Sequence, residues 1–108
     1  MPGCDAREKL LDLLDRKAFD PVLKASPDDY NGDDRKRQLK DVQATTRNTR
    51  ESYHKYGSAE KVREMFRDDL RSDAAEKVHR HLHDLDLPTL NDVEPEFERL
   101  ADQLGVGH

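Results

Sequence analysis

The chain holds one cysteine, Cys4, so no internal disulfide can form, and with no second cysteine or histidine nearby to complete a metal site it reads as a free terminal thiol. Long apolar runs are also missing. The densest is the interrupted cluster Leu10, Leu11, Leu13 and Leu14, well short of the ~20 residues a membrane-spanning helix needs. Met1 to Glu8 carries no apolar signal region, so a soluble protein with cytoplasmic residence and no membrane partner is expected. No stretch alternates apolar with polar residues in a β-branched background, which argues against a sheet. A glycine-rich phosphate loop and a nucleophile elbow are absent, and no catalytic set can be nominated.

Hydrophobic residues are scarce as well. They make up 33% of the chain against 40% charged, where a typical globular domain has about 45–50% apolar and about 25% charged residues. The core must therefore be thin. Lys and Arg number 19 against 24 Asp and Glu, and this near balance favours compaction over a self-repelling disordered chain.

What the sequence does contain is helical periodicity. Leu10, Leu11, Leu14 and Ala18 recur at three- and four-residue intervals within Asp5 to Phe19, and Pro21 should close that helix because it lacks an amide proton. Pro27 to Gly32 reads as a turn, so a loop is expected near residues 21–34. Asp33 or Asp34 should cap a second helix with the stripe Leu39, Val42, Thr46, Thr49, Tyr53 and Tyr56, ending at Gly57 and Ser58. Thr46 and Thr49 weaken that stripe and suggest a half-exposed middle. A third helix carries Val62, Met65, Phe66 and Leu70. A fourth, capped by Ser72 or Asp73, carries Ala75, Val78, Leu82 and Leu85, and the two should be antiparallel neighbours. Leu90, Val93, Phe97, Leu100 and Leu104 form a last stripe, with Asp92 as N-cap and Pro95 at the third helical position. The expected fold is all-α: one domain over residues 1–108, a small bundle of four or five helices with short connections and a flexible N-terminus.

Metal chemistry has two candidate patterns. Glu51-x-x-His54 and Glu76-x-x-His79 have the spacing of a dinuclear iron or manganese site in a four-helix protein, but Glu51 falls on the side of its helix opposite the apolar stripe. Glu76, His79 and His83 share neighbouring turns and could reach a zinc or nickel ion, although no fourth ligand is identifiable and the histidines are more simply two polar boundary residues of an amphipathic helix. The acidic loop at 28–34 fails the EF-hand pattern, because Pro27 and Gln38 stand where carboxylates are required. No cofactor is expected.

Charge is distributed unevenly. Arg35, Lys36, Arg37, Lys40, Arg47, Arg50 and Lys55 collect on the second helix, whereas Asp92, Glu94, Glu96, Glu98 and Asp102 dominate the last segment. Basic side chains in that density suit a phosphate backbone, which makes a nucleic-acid-binding helical protein one alternative. A metal-binding four-helix protein and a small enzyme without an identified catalytic set are the others. The leading expectation is a protein-interaction or regulatory module, binding a protein partner or a second copy of itself. Its interface would centre on Arg47, Arg50, Tyr53 and Tyr56, residue types that join directional contacts to large packing areas.

Overall fold

A computed structural model describes the backbone of residues 2–107 and the side chains of residues 5–107; the Cys4 thiol lies outside the described residues. The fold is all-α: the described residues form five rods with short connections and no sheet. The first rod comprises α1 (Pro2–Leu14), a π turn (Asp15–Phe19) and α2 (Asp20–Lys24), followed by a 3-10 turn (Pro27–Asp29). The remaining rods are α3 (Asp33–Lys55), α4 (Ala59–Arg71), α5 (Asp73–Asp84) and α6 (Leu90–Gln103). Among the described residues, no helix is long and apolar enough to cross a membrane.

Pro21 does not end the first helix. The turn before it widens instead, so that the Asp20 amide reaches back to the Asp15 carbonyl. In a regular helix the proline ring would press on the carbonyl of Lys17; the π turn displaces that carbonyl and lets the rod run on to Lys24. The loop is correspondingly shorter than expected. Ser26 and Asp29 brace it with a reciprocal capping box, and Gly32 enters α3 at φ +94°, a backbone setting in which a side chain would be strained.

Two expected caps move. Asp33 and Asp34 lie inside the first turn of α3 and make no side-chain cap, where their charge complements the helix dipole. Thr89, not Asp92, caps α6: its hydroxyl accepts from the Asp92 amide while the Asp92 carboxylate accepts from the Thr89 amide. Pro95 consequently sits in the helix interior and not at its third position. Ser58 and Ser72 cap α4 and α5 as their sequence positions imply. At the other end of α3, Arg7 donates to the carbonyls of Tyr56 (2.5 Å) and His54 (2.7 Å), placing a cation where the helix leaves its oxygens unpaired.

The apolar side chains form two clusters. The larger joins α1, the π turn, α4 and α6 with Tyr53 from the end of α3, and contains the Phe66–Phe97 stack with ring centres 3.9 Å apart. The smaller joins Val22, Leu39, Val42, Leu82 and Leu85, drawn from α2, the first half of α3 and the end of α5. Because α1 lies against both α4 and α6, it is buried on more than one face. Leu13, outside the leucine stripe, is only 2% exposed. α4 and α5 touch across the Ser72 corner, while α4 also packs on α1 and α5 on α3.

Gln43 and Tyr30 tie the smaller cluster together. The Gln43 amide nitrogen donates to the Val22 and Ala25 carbonyls at 3.0 and 2.8 Å, closing the end of α2 onto α3. The Tyr30 hydroxyl donates to the Leu85 carbonyl at 2.7 Å and fastens the loop to the end of α5.

Candidate functional site

The two clusters leave a half-open cleft of about 240 Å³ between them. Ala18 and Phe19 of the π turn, Val22 of α2, and Ala75, Val78 and Leu82 of α5 supply its apolar walls. Thr46 and Thr49 from α3, Ser72, Thr89, Asp69 and His79 supply its polar atoms. The two threonines that interrupt the α3 stripe thus line a recess. In a chain with 19 Lys and Arg, none of them is among the described lining residues.

Asp69 occupies the last turns of α4. Tyr53, 1% exposed, donates from its hydroxyl to Asp69 Oδ2 at 2.6 Å. Burial pushes the Asp69 carboxyl above its ordinary value, the Tyr53 hydrogen bond opposes that rise, and the neighbouring Asp68 adds to it. Burial, reinforced by the same hydrogen bond, pushes the Tyr53 hydroxyl far above the usual phenol range. Among the described residues Asp69 has no salt-bridge partner.

His79 is buried in α5, and its Nδ1 lies 2.8 Å from Asn91 Nδ2. An amide nitrogen can only donate, so Nδ1 accepts and the ring proton of the neutral form sits on Nε2. Burial, then the charge of His83, lowers the His79 pKa, with Asp92 and Asp69 pulling the other way. Burial thus favours the neutral imidazole over the imidazolium, which limits the positive charge that His79 brings to the cleft.

The residues singled out in the sequence are dispersed. Tyr53 is a core residue, Tyr56 is half-buried against the larger cluster, and Arg47 is exposed. Arg50 donates to Asp15 Oδ1 at 3.2 Å, so part of the basic face of α3 is committed within the molecule. His54 Nε2 lies 2.9 Å from Asp15 Oδ2, away from Glu76 and His79 in any common site. Glu76 is exposed, and His83 faces Asp92 at 3.6 Å. Among the described residues, no three His, Cys, Asp or Glu side chains converge as metal ligands.

The acidic last helix also spends charge internally. Arg63, 3% exposed, donates to Glu98 Oε2 from Nε and Nη2 at 3.0 and 2.6 Å, to Asp102 at 2.8 Å and to the Val106 carbonyl at 3.1 Å. Arg67 grips the same Glu98 at 3.0 and 2.9 Å. A buried arginine needs this degree of satisfaction, and among the described residues no buried side-chain nitrogen or oxygen lacks a partner. The seam between α4 and α6 is held by these pairs, and Arg63, Arg67, Arg71, Asn91, Glu94 and Glu98 also line a polar recess of about 600 Å³ there; the Asp69 cleft is smaller, and its walls are mostly apolar.

No protein-family model, curated protein or solved structure matches the chain. The functional reading rests on the geometry of the cleft.

Proposed function

We propose that this chain is a protein-interaction module that captures one protruding side chain of its partner in the cleft between α3 and α5. The observation that carries this reading is the cleft itself, apolar-walled, hydroxyl-edged and open at the exposed Thr45 and Ala74. At about 240 Å³ it falls below the roughly 300–1,000 Å³ of sites that enclose drug-sized ligands. Anchor pockets of protein interfaces take single large side chains and exclude water around them. Arg47, exposed on another face of α3, is free for contacts outside the anchor.

The test is selection of peptides from a random library on the immobilised full chain, followed by mapping of each binder through amide chemical shifts. Shifts at Thr49, Ala75 and Val78, and loss of binding in Ala75→Trp, are the expected results. Binders that leave those amides unmoved, or that bind Ala75→Trp as well as wild type, would overturn the assignment of the cleft.

A further inference from the structure

The cleft has a definite electrostatic character, and it limits what can enter. The one carboxylate among its described lining residues, Asp69, is half-buried, held on one oxygen by the Tyr53 hydroxyl and in no salt bridge with a described residue. No lysine or arginine is among the described lining residues, and Asp68 stands next in sequence to Asp69. A carboxylate left in such surroundings repels an anionic guest and loses hydration to an apolar one.

We infer that the side chain captured in the cleft is basic, a partner's lysine or arginine whose aliphatic stem lies along Val22, Val78 and Leu82 and whose charged head meets Asp69. This rests on the capture reading above. Lysine and arginine combine an apolar stem with a polar tip, matching a recess with aliphatic walls and one acid. The hydroxyls of Thr46 and Thr49 line the same recess and supply further oxygen acceptors. Tyr53 is a positioning residue: its hydroxyl fixes the orientation of the carboxylate and leaves Oδ1 for the guest.

The deciding experiment uses the full chain and the peptides selected on it. Every peptide that maps to the cleft should share a lysine or arginine. Replacing that residue by norleucine or citrulline, which keep the stem and remove the charge, should weaken binding at least about tenfold, equivalent to about 1.4 kcal/mol. Asp69→Asn should lose affinity by a similar factor while its amide spectrum stays that of the folded protein, and added salt should weaken the wild-type complex.

Cleft-binding peptides that converge on an apolar or acidic residue, or that bind Asp69→Asn equally well, would overturn the basic assignment and leave side-chain capture standing. Failure of all peptides to reach the cleft would remove the capture reading itself. A third arm identifies the source of the cation. Butylamine and N-acetyl-lysine methylamide should bind at least about tenfold more weakly than the selected peptide, because flanking contacts are lost. Equal affinity would overturn the assignment to a protein partner and give the site to a free amine.

Discussion

Tyr53 reaches from the core to Asp69, its hydroxyl 2.6 Å from Oδ2, so that a fully buried aromatic ring holds a half-buried carboxylate at the edge of open space. The pair unites α3 with the end of α4. Its two members have opposite consequences for stability.

Asp69→Asn keeps an oxygen for the Tyr53 hydroxyl and removes a charge that burial disfavours. Unfolding in urea at pH 7 should show anything from no change to a gain of about 1 kcal/mol, as at other sites where function is held against stability. Tyr53→Phe removes the donor and should cost about 1–2 kcal/mol. A loss above about 1 kcal/mol in Asp69→Asn would make the carboxylate a structural group.

Linkage gives His79 a visible pH signature. Its folded pKa lies below the ordinary 6.5, so in the interval between the two values the unfolded chain binds more protons than the folded one. This contribution is complete above the unfolded value and declines as pH falls from 6.5 toward the folded value. The raised pKa of Asp69 acts in the opposite direction, restoring stability as pH falls toward 3.8. Urea midpoints at pH 7.5 and 5.5 should drop less in His79→Gln than in wild type. An unchanged pH slope in that variant would contradict the assignment to His79.

Glu98 receives Arg63 and Arg67 together. Hydrogen bonding from Arg67 is the leading reason that its pKa lies below 4.5, opposed by burial and reinforced by Arg63. Its stabilisation is present above pH 4.5 and disappears as the pH falls through the lower, folded value. Glu98→Gln should therefore cost about 2–3 kcal/mol at pH 7, and the gap from wild type should narrow in acid. A gap that stays constant down to pH 2 would place the effect in packing instead.

Leu13→Ala should destabilise by about 2–5 kcal/mol, a cost usual for a leucine in a close-packed core. Comparison with Leu10→Ala in the same denaturation assay checks this directly. A cost below about 1 kcal/mol would be that of a surface position and would contradict the two-sided burial of α1.

The helices were legible because three- and four-residue spacing marks a buried face directly in the sequence. Leu39, Val42, Thr46 and Tyr53 share such a face, and Ser58 and Ser72 announce the starts that follow them. Pro21 misled because a single widened turn can accommodate it, and the need for that turn depends on packing that spacing does not encode. Asp92 looked like a cap, but it completes the box from its third position while Thr89 begins it. The cleft was only half legible. Thr46 and Thr49 signalled a break in the greasy stripe, whereas Tyr53 and Asp69 meet across 16 residues through a change of helix direction. Arg63 was invisible for a related reason: its burial depends on Glu98, 35 residues away, turning toward it.

The division of the apolar interior into a larger and a smaller cluster means that the molecule need not loosen everywhere at once. Deuterium should enter the amides of α5 and the first half of α3 while those of α1, α4 and α6 still resist, since local opening follows the amount of apolar contact it breaks. A guest seated at the boundary would slow that earlier exchange and make two neighbourhoods behave as one.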